Sequence, residues 1–238
     1  MPKKFFNKIT LKIILENLFI SRIKELSPKT ALDIGCGCGE FTAGISQYCG
    51  HITAIDPSET LITRCKNEHQ KPNVEYIKMD GRKLDFPDNH FDLVYEHASL
   101  HHMSGWQKAI DEMIRVSKKY IFIGEPHDDP RSKEKQNTIY INKVFLELQH
   151  EANYEHYQHF KPEVIEDYLR SRNINFESYI VRLEDPIPFK EYADIFEIFA
   201  GRTARKEFWM EKLEEIRKDL SNENLCESDM LYVFGEKP

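Results

Sequence analysis

Ala31-Leu32-Asp33-Ile34-Gly35-Cys36-Gly37-Cys38-Gly39 is a short apolar run that breaks into a glycine cluster. The run is too short for a helix and has the texture of a buried strand. The glycines after it permit a tight turn in which backbone can approach a ligand with no Cβ in the way. Phe41, Ile45 and Tyr48 then mark a helix, and Ile52-Thr53-Ala54-Ile55 is a second buried-type strand stopped by Asp56-Pro57. Strand, turn, helix and strand make one βαβ unit, and that unit sets a parallel sheet as the frame.

The alternation continues downstream. Leu61, Ile62 and Cys65 carry a helix, Val74–Lys78 alternates as a third strand closed by Asp80-Gly81, and Phe91–Tyr95 is a fourth strand with Glu96-His97-Ala98 at its carboxyl end. Trp106, Ala109, Ile110, Met113 and Ile114 share one helical face, and Tyr120–Ile123 is a fifth strand, expected to end at Gly124 and Pro126. From Glu125 to Ala200 there is no glycine, and 132–150 reads as one long helix. A helix opening at Lys161-Pro162-Glu163 leads back to a strand at about Phe176 to Val181. Pro186 and Pro188 punctuate, a helix with Trp209, Leu213, Ile216 and Leu220 on one stripe follows, and Met230–Phe234 is the last strand.

With 238 residues, 40% of them hydrophobic, the chain can bury a core, and a single domain over 1–238 is expected. Its decorations are an N-terminal helical segment (1–30), a helical cap insertion (127–160) and a helical insertion before the last strand (186–224). Five cysteines with no repeated spacing fit reduced thiols, no run approaches the roughly 18 apolar residues of a membrane span, and a cytoplasmic address follows as an expectation. The net charge of -7 disfavours a nucleic-acid partner. Residues 1–30 nevertheless carry seven Lys or Arg against Glu16 and Glu25. Phe6, Ile9, Ile13, Ile14, Leu18, Ile20 and Ile23 recur there at roughly helical spacing, which predicts an amphipathic helix covering the fold, with a membrane surface or a partner as the alternative.

A glycine turn alone is a modest signal. A nucleotide site also needs a group for ribose hydroxyls, and Asp56 at the tip of the second strand is placed for it. A nicotinamide dinucleotide would prefer a third glycine at position 40, under its pyrophosphate. Position 40 is Glu, which a pyrophosphate would repel.

The stretch Ala31–Gly39 resembles the first motif of class I S-adenosylmethionine-dependent methyltransferases. Asp56-Pro57-Ser58 resembles their ribose-binding strand end, and Met79-Asp80-Gly81 the position where an acid meets the adenine amino group. Leu84–Asp92 is similar to the subgroup that includes ubiquinone and menaquinone biosynthesis methyltransferases, and Glu96-His97-Ala98-Ser99-Leu100-His101-His102 continues that likeness, facing the methionine end of the cofactor. The resemblance implies an α/β, doubly wound Rossmann-like fold: a seven-stranded, mostly parallel sheet with the last strand antiparallel, plus helical insertions. It also implies S-adenosylmethionine as cofactor and a small-molecule acceptor methylated by in-line displacement. Cofactor contacts are expected from Asp33, Gly35, Cys36, Gly37, Gly39, Asp56, Pro57, Ser58, Asp80, Gly81, Glu96, His97 and His101. Asp33 is assigned to the amine, and the amides of the turn to the carboxylate.

His101 and His102 are the candidates for a general base, needed only where the acceptor must lose a proton; packing and support of the cofactor loop is the preferred reading. Cys36-x-Cys38 lacks the spacing of a zinc pair, and no metal is expected. His150, His156 and His159, interleaved with Tyr154, Tyr157 and Phe160, read as an acceptor pocket or as an aromatic core under a helical cap, with metal binding as the weaker alternative. A nicotinamide-dependent oxidoreductase and a noncatalytic S-adenosylmethionine-binding protein stand as alternatives. Oligomeric state is not encoded in any pattern found.

Overall fold

A computed structural model describes residues 18–220 and 225–238. Nine strands and eight α-helices are present among them: α1 (Leu18–Leu26), β1 (Thr30–Ile34), α2 (Glu40–Ile45), β2 (His51–Asp56), α3 (Glu59–Glu68), β3 (Val74–Lys78), β4 (Phe91–His97), α4 (Trp106–Val116), β5 (Ser117–His127), α5 (Lys133–Glu151), α6 (Pro162–Ser171), β6 (Asn175–Val181), β7 (Pro186–Ile187), α7 (Phe189–Ala200), α8 (Lys206–Asp219), β8 (Leu225–Cys226) and β9 (Asp229–Glu236). Seven strands form one sheet in the order β3-β2-β1-β4-β5-β9-β6. Pairing is parallel except along β9, which runs antiparallel to both β5 and β6. The order reverses direction between β1 and β4, and ligands of open α/β sheets bind outside the strand ends at such a point.

The two faces of the sheet follow from the period-2 alternation of side chains. Leu32, Ile34, Val94, Ile121 and Ile123 face one way and pack with Ala109, Ile110 and Met113 of α4 and Ile165 and Leu169 of α6. Ala31, Leu93, Tyr95 and Phe122 face the other way, under Phe19, Ile20 and Ile23 of α1 and Ile62 and Cys65 of α3. The amphipathic stripe of α1 therefore covers the fold over 18–26; Phe6, Ile9, Ile13 and Ile14 lie outside the described residues. A third core, built from Ile141, Val144 and Leu148 of α5, Phe196 and Phe199 of α7 and Trp209, Leu213 and Ile216 of α8, stands apart from the sheet. The short ladder of β7 with β8 clasps the two ends of the segment that carries α7 and α8.

β5 departs from expectation by running straight through Gly124 and Pro126. It is paired with β9 over its whole exit, Gly124 opposite Tyr232 and Pro126 opposite Met230. The Gly124 carbonyl accepts the Ala98 N–H on the β4 side. Residue 126 faces that same side, past the end of β4, so its missing N–H costs no ladder bond.

Candidate functional site

The carboxyl ends of β1, β2, β3 and β4 bring the glycine turn, Asp56, Asp80 and the loop 98–102 to one edge of the sheet. Gly35, Gly37 and Gly39 all have positive φ, at +75°, +55° and +83°. A Cβ on Gly35 would stand 2.5 Å from Ser99 Cβ, whereas one on Gly37 would meet nothing within 4 Å. The turn is thus packed at its first glycine and open at its second. Its amides are more occupied than the glycine spacing suggests. Gly35 and Cys36 both donate to the Ile55 carbonyl, at 2.8 and 2.9 Å, Gly39 donates to the Cys36 carbonyl, and Gly37 donates to Asp56 Oδ2 at 3.1 Å.

Asp56 is 7% exposed and accepts the Ser58 N–H on Oδ1 at 2.8 Å. It therefore ties the glycine turn to the start of α3, where the Ser58 hydroxyl caps the helix and the neighbouring Pro57 is exposed. Burial raises its carboxyl above the usual range, against the two N–H donors. Asp80 is more open and is clasped by Arg82, whose Nη2 lies 2.8 Å from Oδ2 and holds the carboxyl below its usual value. Arg82 also donates to the Ser104 hydroxyl, which links the β3 end to the loop after β4. Gly81 is pressed on β1: a Cβ there would meet Ile34 Cγ2 at 2.4 Å.

Asp33 lies within β1. Strand parity puts it on the same face as Ala31, toward α2, where it is 2% exposed and accepts the Thr42 hydroxyl at 2.6 Å. Burial pushes its carboxyl up to about 7. The same parity turns His97 toward α2, where its ring stacks on Phe41 at 4.2 Å, its Nε2 is buried without a partner, and burial lowers its pKa to about 4.

Glu96 faces the opposite side and meets Glu125 of β5, both fully buried. Glu96 accepts the Gly124 N–H at 3.0 Å and the Ser99 N–H at 3.0 Å. Glu125 accepts the Ser99 and Leu100 N–H groups at 2.9 and 2.8 Å and pairs with His101 Nδ1 at 2.7 Å. Burial and the facing Glu125 push Glu96 far up, so Glu96 is the protonated member; burial brings Glu125 to about 7. Glu125 and Ser99 were not singled out in the sequence. An acid directly after the apolar strand Tyr120–Ile123 was the signal available for the first.

His101 and His102 lie in a 3-10 turn (Leu100–His102) beyond β4, not in α4. His156 reaches them from the extended segment after α5, with ring centroids 5.0 Å from His101 and 4.5 Å from His102. Backbone pins that segment in place, since Tyr157 N–H donates to the His101 carbonyl at 2.7 Å. His159 instead pairs with Asp128 at 2.9 Å. A cavity of about 400 Å³ opens beside this cluster, lined by His127, Lys143, Phe145, His156, Tyr157 and His159, among others. A separate cavity of about 530 Å³, lined by Arg22, Tyr120, Phe176 and Phe234, lies away from the glycine turn, at the other end of the sheet.

The site residues fit S-adenosylmethionine on two observations. The flank of Gly37 is open where backbone turns with positive φ. Asp56 is a buried acid with no lysine or arginine against it among the described residues. Such a site suits a cationic ligand.

Residues 32–121 match the family model described as a methyltransferase domain. The chain is 32% identical over 112 residues to a malonyl-[acyl-carrier protein] O-methyltransferase of Buchnera aphidicola, covering 47% of this chain and 44% of that protein. It is 32% identical over 99 residues to the ubiquinone/menaquinone biosynthesis C-methyltransferase UbiE of Pseudomonas entomophila, covering 39% of each. The matches thus span less than half the length of either relative. In fold, the chain is similar to YcgJ of Bacillus subtilis, with TM-score 0.66, 16% identity, and coverage of 92% of this chain and 97% of that one. A SAM-dependent methyltransferase from Aquifex aeolicus superposes with TM-score 0.54 at 16% identity, over 94% and 92% of the two chains. Residues 32–121 are thus similar to methyltransferase domains, and the fold as a whole is similar to that of solved SAM-dependent methyltransferases.

Proposed function

We propose that this chain transfers the methyl group of S-adenosylmethionine to a small-molecule acceptor held under the segment 127–160. The observation that carries the reading is the buried carboxyl group of Asp56 beside the open flank of Gly37, with no lysine or arginine against it among the described residues. A pyrophosphate would meet repulsion there; a sulfonium and an amine would meet attraction. When bound, the cofactor supplies an electrophilic methyl group.

The chain's own residues would do the rest by placement, since alignment supplies much of the acceleration of a displacement. Asp56 fixes the glycine turn and presents a carboxylate for ribose hydroxyls. Asp80, steadied by Arg82, stands at the adenine side. Glu125 holds Ser99, Leu100 and His101 in one arrangement, so the loop facing the methyl group is set before any ligand arrives. The cavity of about 400 Å³ lies in the size range of small-molecule pockets. We read the whole chain as one domain, with 127–160 and 186–224 as its insertions. No described helix is long and apolar enough to cross a membrane.

Calorimetric titration with S-adenosylmethionine, S-adenosylhomocysteine and NAD tests the cofactor, and a labelled-methyl screen of metabolite extracts tests the transfer. Binding of both sulfur nucleosides, weakened in Asp56→Ala at unchanged secondary structure, is expected. Binding of NAD alone would overturn the reading.

A further inference from the structure

We infer that His101, His102 and His156 form a binding site for one divalent transition-metal ion of the zinc class. One ring nitrogen from each of the three lies within 4.8 Å of those of the other two. Ligands of a tetrahedral ion with bonds of 2.0–2.1 Å stand about 3.4 Å apart, so the ring nitrogens need close by at most about 1.4 Å. This inference goes beyond the methyl-transfer reading and does not depend on it.

The surroundings of the rings select the nitrogen each would offer. His101 Nδ1 faces Glu125 Oε2 at 2.7 Å. His102 Nδ1 faces the Glu155 carbonyl at 3.1 Å. His156 Nδ1 faces the side-chain carbonyl of Gln149. All three partners are oxygen acceptors, so each Nδ1 carries the proton and donates it. What each ring has left is a bare Nε2 lone pair, and His156 Nε2 is buried with no hydrogen-bond partner. Packing alone leaves the His156 Nε2 lone pair buried and unmet by a donor, which is costly. A cation held among the three rings removes that cost.

The second shell has the composition that metal-bound histidines use: a carboxylate, a backbone carbonyl and an amide oxygen, each fixing a tautomer and a ring plane. Glu125 is itself anchored by the Ser99 and Leu100 N–H groups, so His101 is the rigid member of the set. His102 and His156 are held to one another's neighbourhood by the segment 154–157, through the Glu155 carbonyl and the Tyr157 N–H. Imidazole-only donor sets suit zinc, copper, nickel and ferrous or cobaltous iron-group ions, and exclude magnesium and calcium, which take oxygen ligands. Three protein ligands leave a fourth position for water or another small ligand, and His156 also lines the cavity beside it.

The test uses the full-length protein loaded with Zn²⁺ or Co²⁺ and desalted. We expect about one bound metal per chain by mass spectrometry of the elements, and a Co²⁺ form with ligand-field absorption and three hyperfine-shifted, exchangeable imidazole N–H resonances. Separate His102→Ala and His156→Ala variants should bind more than about 100-fold more weakly, beyond the 10–100-fold that loss of a supporting partner costs. His90→Ala, remote from the cluster, should bind as the parent does. Absence of bound metal from the loaded parent would overturn the inference, whatever the variants do. So would a Co²⁺ spectrum with fewer than three shifted imidazole signals, or retention of the metal in both alanine variants. None of these readouts requires methyl transfer, so failure of either reading is seen separately from failure of the other.

Discussion

Alanine at Gly35 and at Gly37 should do damage of different kinds, and the contrast tests where the cofactor lies. Both residues sit at positive φ, +75° and +55°, where an L side chain costs about 1–2 kcal/mol. At Gly35 the added Cβ would stand 2.5 Å from Ser99 Cβ and 2.9 Å from Ser99 Oγ. Ser99 has no room to retreat, because Glu96 and Glu125 accept its N–H and the Ile34 carbonyl accepts its hydroxyl. Overpacking adds about 1–3 kcal/mol, so Gly35→Ala should lose about 2–5 kcal/mol of unfolding free energy, roughly 10 °C in midpoint for a chain of this size. At Gly37 there is nothing within 4 Å of the new methyl group, so only the backbone term of about 1–2 kcal/mol applies. That methyl group enters the flank assigned to the cofactor, and S-adenosylmethionine should bind at least about tenfold more weakly, a loss of about 1.4 kcal/mol. Urea unfolding and calorimetry on the two purified variants measure both quantities. Binding by Gly37→Ala with the parent's affinity would refute the assignment of that open flank to the cofactor.

Three further outcomes are expected. Asp33 has its pKa raised from 3.8 to about 7, so the folded state holds its proton more tightly than the unfolded chain does. Relative to Asp33→Asn, the parent should therefore lose up to about 4 kcal/mol of stability as pH rises from about 4 to 7, and no more beyond; parallel denaturation curves at pH 5 and 8 check this, and parallel behaviour of the two proteins would contradict it. Asp229 is fully buried between Arg131 and Lys135, the latter 2.6 Å away. Asp229→Asn should cost about 3–5 kcal/mol in urea unfolding at pH 7, because two cations are left facing a neutral group. Phe19 is fully buried against Phe122 and Tyr232, so Phe19→Ala should cost about 3–5 kcal/mol; a change below about 1 kcal/mol would mean that α1 is not part of the folded core.

What the sequence disclosed was local. β1 and the glycine turn could be read because a buried strand and positive-φ residues leave their marks within nine positions, and Asp56 because it ends a strand. The role of Asp33 was harder to read. Strand parity places it with Ala31 against α2, and its motif position points instead toward the cofactor. The full length of β5 was hidden because its last residues are strand only through their pairing with β9, more than a hundred positions away. The approach of His156 to His101 and His102 has no periodic signal at all. It depends on the length of α5 and on an irregular segment after it, fixed by single contacts such as Tyr157 N–H to the His101 carbonyl.

The buried acids explain why this edge of the sheet is costly to fold and ready to bind. Two adjacent carboxyl groups, Glu96 and Glu125, would repel each other if both were ionised; protonation of Glu96 avoids this, and the N–H groups of Gly124, Ser99 and Leu100 supply the remaining donors. Two of those donors, on Ser99 and Leu100, belong to the loop that carries His101, so satisfying the acids also fixes the loop. A cationic ligand bound beside Asp56, as proposed above, would then find oriented groups already in place, with little reorganisation left to be done. Replacing Glu125 by an apolar residue would leave the buried Leu100 N–H without an acceptor and release His101, so the fold and the arrangement of the loop would be weakened together.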